Sequence, residues 1–454
     1  MNKDSKIGIF GAGVEGKALA EYLFENGFSH VVVYDENENV SIKLPEGVSL
    51  QTGKNVLTLM EDCEIVFRSP GIHTDRLNPL REKGVTVTST VEYFLTTRKG
   101  KVIGVTGTKG KGTTSTLIYE ILKRAGEDVY LGGNIGESPI NFIDKLKDKS
   151  WTVLELSSFQ LQDLTVSPNI SVVLMTTSEH LNYHSTVNEY RDAKKSIAKF
   201  QMEDDLLVIN VDYEYAADFI EVGKGKKMTV STKKIVPSGT FLYEDEIVFA
   251  KNGNIDKILN VKKVALPGQH NLENVIAAVT VAKYLQVSDR VISSVVSSFK
   301  GLPHRLEFVA EKEGVKYYND SFSTTPETSI AASKAFDKPI ILIAGGSEKQ
   351  SDYSEWAMEM QKNQNLKMIV LMGVTADRMK ESLDKAANDL KNRASDNYFP
   401  VKIERVNNLE DAVLRARLNA KKGDYVIMSP AAASFDLFDN YKQRGEMFRK
   451  IVEL

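Results

Sequence analysis

A glycine-rich segment with two lysines, Gly-Thr-Lys-Gly-Lys-Gly-Thr-Thr at 107–114, has the residue types needed to hold phosphate groups. It follows the apolar run 102–105 and precedes a predicted helix at 113–125. A loop of this kind directs backbone N–H groups toward one point, and the helix dipole and the Lys111 ammonium add positive charge there. The spacing departs from G-x-x-x-x-G-K-[ST] in two ways, because Val105 stands at the first glycine position and Gly112 separates Lys111 from the first hydroxyl. The segment predicts a triphosphate loop, and the alternative is an ordinary glycine-rich turn.

Acidic and imidazole side chains follow the next strands. Glu155 comes after the predicted strand 151–154, and His180 follows the predicted strand 170–174. The carboxyl ends of parallel strands meet at one sheet edge, so both should lie near the phosphate loop. Mg²⁺ prefers carboxylate, hydroxyl and phosphate oxygens, which makes Glu155 a candidate ligand. The predicted helix 187–200 carries Lys194 and its neighbour Lys195. Helices normally expose such lysines to solvent, so the sequence alone does not favour either one as a functional residue.

A second glycine-rich turn lies near the N-terminus. Gly11, Gly13 and Gly16 form G-x-G-x-x-G between a predicted strand and helix, and Asp35 follows about 20 residues later. Taken alone this fingerprint predicts NAD and a dehydrogenase. Physically, the fingerprint specifies only a backbone that can approach a diphosphate closely and a carboxylate nearby. Those two features suit any nucleotide diphosphate, not NAD alone. The segment 69–72, Ser-Pro-Gly-Ile, is either a second ligand loop or only a turn.

Further polar loops follow predicted strands. Asn134 stands between glycines and is either a ligand contact or a turn residue. Asn271 and Asn274 are three residues apart and share a helix face, where they could bind a base or cap the helix. Arg305 is a candidate phosphate contact. Loops 319–326, 345–349 and 429–436 follow predicted strands of the C-terminal third, where open α/β sheets place their ligands.

Three widely separated strand–glycine–helix units, beginning with the strands 7–10, 102–105 and 340–343, predict three α/β domains with mostly parallel sheets. We expect a Rossmann-like domain for a nucleotide diphosphate at 1–97, a central phosphate-loop ATPase domain at 98–302 and a Rossmann-like C-terminal domain at 303–454. A length of 454 residues accommodates this division.

Composition narrows the functional classes. The chain is 42% hydrophobic and 26% charged with a net charge of -3, which argues against general nucleic-acid affinity. Its one cysteine, Cys63, allows neither an intramolecular disulfide nor a cysteine metal cluster. There is no signal-peptide h-region and no apolar run near the ~18 residues of a membrane span, so we expect a cytoplasmic protein.

Taken together, these motifs resemble the Mur ligase family over essentially the whole chain. The resemblance rests on Gly-Thr-Lys-Gly-Lys at 107–111, Glu155, Glu-His at 179–180, Tyr-Arg-Asp-Ala-Lys at 190–194, Pro-Gly-Gln-His-Asn at 267–271 and Gly-Leu-Pro-His-Arg at 301–305. Segments 155–161, 429–436 and 443–445 are most similar to family members that add D-glutamate.

The resemblance implies ATP-driven amide formation through an acyl phosphate, joining D-glutamate to UDP-N-acetylmuramoyl-L-alanine in peptidoglycan precursor synthesis. It further implies two Mg²⁺ ions, a carbamylated Lys194 and a monomer. The implied catalytic residues are Lys111, Glu155, His180 and Lys194, and the implied metal ligands are Thr113, Glu155, His180 and the Lys194 carbamate.

The resemblance also implies three binding sites. The ATP site comprises Gly107, Thr108, Lys109, Gly110, Lys111, Gly112, Thr113, Thr114, Asn271, Arg305 and Asp320. The UDP-substrate site comprises Gly13, Val14, Glu15, Asp35, Glu36, Ser69, Pro70, Gly71, Asn134, Ser157 and Gln160. The D-glutamate site comprises Thr324, Lys349, Ser434, Phe435 and Tyr441.

Three positions depart from the family pattern. Gly112 replaces the usual hydroxyl residue and leaves the choice between Thr113 and Thr114 open, Phe322 stands where some members have lysine, and Asn182 replaces a common aspartate. Gly-Lys-Gly-Thr is similar to folylpolyglutamate synthase, the alternative ligase. A NAD-dependent oxidoreductase is the alternative from another class, and it leaves Lys111, Glu155 and His180 without a role.

Overall fold

The computed structural model describes residues 2–40, 42–176, 186–266, 268–348, 351–392 and 398–454. These residues form three mostly parallel sheets with flanking helices. The chain divides into two compact units, Met1–Phe299 and Lys300–Leu454. The first unit contains two of the sheets and the second contains the third, so the expected α/β class is confirmed. The finer division into three domains stays a prediction.

The N-terminal sheet is parallel throughout, in the strand order β3-β2-β1-β4-β5. Its strands are β1 (Lys6–Phe10), β2 (His30–Asp35), β3 (Ser49–Thr52), β4 (Ile65–Arg68) and β5 (Thr86–Ser89). Its helices are α1 (Val14–Glu25), α2 (Val56–Leu59), α3 (Asn78–Glu82) and α4 (Thr90–Thr97). The edge strands β3 and β5 are four residues long with one apolar residue each, which is why the sequence analysis missed both.

The central sheet has nine strands in the order β14-β13-β12-β11-β10-β9-β6-β8-β7. In chain order they are β6 (Lys101–Thr106), β7 (Val129–Gly133), β8 (Trp151–Glu155), β9 (Ile170–Val173), β10 (Leu206–Asn210), β11 (Lys226–Ser231), β12 (Gly239–Tyr243), β13 (Glu246–Lys251) and β14 (Asn254–Asn260). β12, β13 and β14 form an antiparallel extension at one edge. The interior strands β6, β8, β9 and β10 are buried on both faces, which explains their continuous apolar sequences.

Helices cover the central sheet. They are α5 (Lys111–Ala125), α6 (Ser158–Leu161), α7 (Val187–Lys199), α8 (Glu214–Ala217), α9 (Gln269–Tyr284) and α10 (Asp289–Val296). α5 begins two residues before the predicted start, so Lys111 lies in its first turn. α9 begins at Gln269, so Asn271 and Asn274 both lie in its first two turns. Along the described residues, no helix is long and apolar enough to cross a membrane.

The second unit has a six-stranded sheet in the order β15-β16-β20-β17-β18-β19, antiparallel only between β15 and β16. Its strands are β15 (Glu307–Lys312), β16 (Val315–Asn319), β17 (Ile340–Ala344), β18 (Leu366–Leu371), β19 (Lys402–Arg405) and β20 (Tyr425–Met428). Its helices are α11 (Pro326–Ser333), α12 (Ser354–Lys362), α13 (Ala376–Asn392), α14 (Leu409–Asn419) and α15 (Tyr441–Glu453). The unit has its own hydrophobic core on each face of the sheet.

Candidate functional site

The phosphate loop joins β6 to α5 in a conformation that requires glycine. Gly110 precedes the helix with φ of +87°, and a Cβ there would lie 2.1 Å from Oδ1 of Asn274. The Lys111 ammonium donates hydrogen bonds to the carbonyls of Gly107 (3.0 Å) and Thr108 (2.9 Å). The segment therefore forms a tight loop with the lysine folded across it at the N-terminus of a four-turn helix, and its binding of a triphosphate stays a prediction.

The two threonines after Gly112 have different surroundings. The fully buried Thr114 donates from Oγ1 to Oδ1 of Asn274 at 3.3 Å, and Asn274 donates to Oδ1 of Asn271 at 3.2 Å. Thr113 is partly exposed. The Thr114 hydroxyl is thus used in packing α5 against α9, which favours Thr113 as the residue that faces a ligand.

Glu155 ends β8 beside the loop. Parallel pairing places it level with Val105, the penultimate residue of β6. The carboxylate is buried, and its Oε1 accepts a hydrogen bond from Nδ2 of Asn134 at 3.1 Å. Oε2 is buried with no hydrogen-bond partner among the described residues. An anionic oxygen in this situation requires a cation or a donor, and this Glu155 oxygen is the feature that fits a metal ion.

Lys194 differs from its neighbour in a way the sequence did not reveal. Its side chain on α7 is 1% exposed, and the ammonium donates to the Gly107 carbonyl (3.1 Å) and to Oγ1 of Thr106 (3.3 Å). Lys195 is on the surface, paired with Asp192 at 2.7 Å. The expectation that a lysine of this helix would be solvated is wrong for Lys194, because α7 presents it to the end of β6.

His180 lies outside the described residues, as do Asn182 and Lys349. Within the described part of the chain, no group of three or more histidine, cysteine, aspartate or glutamate side chains could hold a metal ion. The assignment of His180 as a metal ligand therefore stays a prediction.

A cavity of about 480 Å³ lies at the carboxyl edge of the N-terminal sheet. It brings together most of the residues predicted to bind the UDP substrate. The lining includes Gly13, Val14, Glu15, Asp35, Glu36, Ser69, Pro70 and Gly71. Asn134, Ser157 and Gln160 lie outside the lining. Because the segment 69–72 forms one wall, its position fits a ligand loop better than a simple turn.

Two of the fingerprint glycines, Gly13 and Gly16, have different surroundings. A Cβ at Gly16 would lie 2.0 Å from the Gly11 carbonyl oxygen, whereas a Cβ at Gly13 would meet nothing within 4 Å. Gly16 thus allows α1 to pack on the turn, and Gly13 leaves the cavity open to a ligand. Asp35 accepts a hydrogen bond from the Ala12 N–H at 2.9 Å, so its carboxylate also braces the turn.

A hydrogen-bonded chain joins this cavity to the central sheet. Gln160 donates from Nε2 to Oε1 of Glu15 at 2.7 Å, and Ser157 and Gln160 cap α6 reciprocally. Burial raises the pKa of Glu15, while the Gln160 hydrogen bond and the Arg68 charge lower it. α6 begins three residues after Glu155, so the cavity wall and the Glu155 carboxylate are held by neighbouring segments.

In the second unit, Asp320 is buried after β16. It accepts hydrogen bonds from the Leu306 N–H at 3.1 Å and from Oγ of Ser429 at 2.7 Å. Burial raises its pKa to about 6, against the opposing effects of hydrogen bonds and of Arg305. The Arg305 guanidinium lies 4.3 Å from the centre of the Phe322 ring.

The residues predicted to hold D-glutamate lie around the loops of the second unit. Ser434 is buried, Phe435 is 69% exposed, and the Tyr441 ring meets the Phe322 ring edge-on at 5.3 Å. Thr324 is partly exposed. The buried Arg444 donates from Nε to Oγ of Ser321 at 3.0 Å and to nearby carbonyls of the 431–434 segment.

The sequence analysis missed Arg68, at the end of β4. It is 1% exposed and hydrogen-bonded to both the N-terminal and the central sheet regions. The one sequence signal is a charged residue closing an apolar strand directly before the 69–72 segment.

Comparisons with known proteins identify the family. Residues 105–282 match the Mur ligase middle domain, and residues 304–432 match the Mur ligase, glutamate ligase domain. The chain is 36% identical to the UDP-N-acetylmuramoylalanine–D-glutamate ligase of Clostridium tetani, over 100% of this chain and 99% of the relative. It is also 36% identical to that of Acetivibrio thermocellus, over 99% and 96% of the two chains.

Solved structures share the fold. The UDP-N-acetylmuramate–alanine ligase of Thermotoga maritima aligns with a TM-score of 0.58 at 18% identity, covering 99% of each chain. The MurF ligase of the same organism, solved in complex with ADP, aligns with a TM-score of 0.56 at 19% identity, covering 100% of this chain and 97% of that one. With full-length relatives above 30% identity and both domain models matched, this chain belongs to the Mur ligase family.

Proposed function

We propose that this protein is an ATP-dependent ligase that joins D-glutamate to UDP-N-acetylmuramoyl-L-alanine in peptidoglycan precursor synthesis. One observation carries the proposal most directly. A cavity suited to a nucleotide diphosphate and a phosphate loop lie in one compact unit, and Glu15, Gln160 and Ser157 connect the cavity to the segment that carries Glu155. The full-length curated relatives bear the name of this activity.

The proposed reaction has two steps. The terminal carboxylate of the UDP substrate attacks the γ-phosphorus of ATP, forming an acyl phosphate and releasing ADP. The D-glutamate amine then attacks the acyl carbon, the new amide loses a proton and phosphate leaves. Lys111 and the N–H groups of the loop hold the β- and γ-phosphates and stabilise the charge that develops during transfer.

A magnesium site fits beside the loop. The unpartnered Oε2 of Glu155 and the partly exposed Thr113 hydroxyl are the oxygen ligands Mg²⁺ prefers. When bound, the ion neutralises phosphate charge during transfer. We assign His180 and Lys194 to a second ion. A lysine ammonium cannot ligate a cation, so Lys194 would act as its carbamate, and its burial against Gly107 supports it over Lys195.

The remaining assignments concern the nucleoside and the amino acid. Asn271 is assigned to adenine, and Arg305 and Asp320 to the phosphates and ribose. Thr324, Lys349, Ser434, Phe435 and Tyr441 are assigned to D-glutamate. The corresponding domains are a Rossmann-like UDP-substrate domain at 1–97, the ATP-binding domain at 98–302 and a Rossmann-like glutamate domain at 303–454.

The test is phosphate release with ATP, Mg²⁺ and UDP-N-acetylmuramoyl-L-alanine, adding D-glutamate, L-glutamate or neither. We expect release that depends on D-glutamate and a new amide product by mass spectrometry. Preference for L-glutamate would overturn the specificity. Turnover of a folate with L-glutamate, and none of the UDP substrate, would favour the folylpolyglutamate alternative suggested by Gly112.

A further inference from the structure

The cavity near the N-terminus poses an electrostatic problem for a diphosphate. Its lining contains the carboxylates of Glu15, Asp35 and Glu36, and among the described residues that line it there is no lysine or arginine. Arg76 lies at the rim of the cavity, where it is paired with Glu36 and lies 5.9 Å from the centre of the Phe10 ring. Because this guanidinium is already paired, backbone N–H groups must supply much of the remaining attraction for phosphate oxygens, as at other helix starts and glycine-rich turns. The residues that orient these N–H groups therefore affect how tightly the cavity binds its ligand.

Arg68 lies directly behind one wall of this cavity. Its Nη1 lies 2.8 Å from the carbonyl oxygen of Ile72 and 3.4 Å from those of Ser69 and Pro70. The guanidinium thus holds three of the four carbonyl groups of the 69–72 loop, those of Ser69, Pro70 and Ile72, toward itself. The described residues contain no cis peptide. In a trans peptide the C=O and the following N–H point in opposite directions, so the Gly71 N–H faces away from Arg68.

The same side chain is anchored to the central region. Nε donates to Oδ2 of Asp163 at 2.9 Å and Nη2 to Oδ1 at 2.7 Å, a two-pronged pair. Nη2 also donates to the Phe159 carbonyl of α6 at 2.9 Å. Arg68 therefore fixes the 69–72 loop against the segment that follows Glu155. A lysine has a compact ammonium with three donors, which cannot reproduce a planar fork bonded on two sides.

We propose that Arg68 is a positioning residue for the nucleotide diphosphate. It holds the carbonyls of the 69–72 loop away from the cavity, so that the Gly71 N–H faces the ligand, and it locks this wall to α6 through Asp163. The assignment of the cavity to the UDP part of the substrate rests on the proposed function. The positioning effect itself applies to any nucleotide diphosphate that binds there.

The experiment compares Arg68→Lys, Arg68→Met and Asp163→Asn with the wild-type protein. The control is Arg98→Lys, since Arg98 is a partly buried arginine of the same unit that donates to the Leu95 carbonyl and to Asn169, away from the cavity. The measurements are the dissociation constants of UDP and of ADP by calorimetry, KM for the UDP substrate and for ATP, and the melting temperature.

We expect Arg68→Lys to weaken UDP binding and raise KM for the UDP substrate by about tenfold or more, the effect of losing one or two charge-assisted hydrogen bonds. ADP binding and KM for ATP should stay within about twofold of wild type. Asp163→Asn should show the same pattern to a smaller extent, and Arg98→Lys should leave both ligands unaffected. If Arg68→Met does not fold, Arg68→Lys and Asp163→Asn carry the test.

Two results would overturn the proposal. One is UDP affinity in Arg68→Lys within about twofold of wild type. The other is an equal loss of UDP and ADP affinity, which indicates a general structural role. UDP binding is measured without turnover, so it tests this inference independently of the reaction. A wild-type protein that binds UDP but forms no D-glutamate amide would refute the proposed function. The effect of Arg68→Lys on UDP affinity would still test the positioning role.

Discussion

Single residues of the candidate site acquire their chemistry from burial and from a few short contacts. Lys111 is held across the phosphate loop by two carbonyls, and Lys194 is buried against the same loop. Asp320 is a carboxyl group whose buried position favours the protonated form. At this scale each group can be tested by one substitution.

Replacing Lys111 with alanine removes the one loop ammonium assigned to the β- and γ-phosphates. We expect kcat to fall roughly 100- to 1,000-fold, the effect of losing about 3–4 kcal/mol of transition-state stabilisation. Phosphate-release kinetics provide the measurement. Lys123→Ala, in the last turn of the same helix, is the matched control and should retain wild-type kcat. Activity of Lys111→Ala within about tenfold of wild type would contradict the phosphate-loop assignment.

Asp320 predicts a pH dependence of stability in the second unit. Its pKa rises from an ordinary 3.8 to about 6 on folding, so the folded state binds the proton more tightly. The resulting stabilisation is present below about pH 4 and is lost as the pH rises through about 6, by at most about 3 kcal/mol. Urea titrations of wild type and Asp320→Asn between pH 4 and 7 measure it. A stability difference between the two proteins that does not change with pH would refute the expectation.

At the scale of elements, the approach of α1 to the end of β1 determines the shape of the cavity at the N-terminal sheet. The contact between Gly16 and the Gly11 carbonyl sets this approach, and Gly13 lies at the start of the helix with φ of -77°, which alanine also adopts. The two glycines should therefore respond differently to the same added methyl group.

Gly16→Ala should destabilise the first unit by about 1–3 kcal/mol, because its Cβ would meet backbone rather than a flexible side chain. Gly13→Ala should leave the melting temperature unchanged and raise KM for the UDP substrate by about tenfold, since the methyl group would occupy space where a ligand approaches. Calorimetry and steady-state kinetics measure the two effects. Equal behaviour of the two variants would show that the glycines do not have separate functions.

At the scale of the whole molecule, each unit has hydrophobic cores of its own. The largest clusters of the first unit are built on the N-terminal and central sheets, and those of the second unit on the C-terminal sheet. Units with separate cores usually unfold as separate cooperative transitions. The nucleotide cavity lies entirely within the first unit.

Scanning calorimetry should therefore resolve at least two transitions. UDP at about 100 times its dissociation constant should raise the first unit's transition by about 4 °C, corresponding to about 2.7 kcal/mol, and leave the other unchanged. The assignment of each transition can be checked with Gly16→Ala, which should lower the UDP-sensitive one. A single transition that moves as a whole with UDP would show that the units unfold together.

Much of the fold and of the site chemistry followed from local sequence. The segment 107–114, the 11–16 turn and Glu155 were recognisable because glycine spacing and apolar runs specify a strand, a turn and a helix start within about 20 residues. The order of the motifs was sufficient to place the chain in its family, and the full-length relatives confirm it. The short edge strands β3 and β5 were missed because each has a single apolar residue among polar ones, which produces no apolar pattern.

Only the tertiary structure decided between chemically identical neighbours. Lys194 and Lys195 differ solely in which side of α7 faces β6, and Thr113 and Thr114 in which hydroxyl reaches Asn274. Arg68 acquires its position from Asp163, 95 residues away. The sequence by itself determined which groups the protein has and the local turns that hold them. The packing of distant segments decided which of those groups are buried, paired or turned toward a ligand, because burial and hydrogen bonding depend on contacts that no local pattern contains.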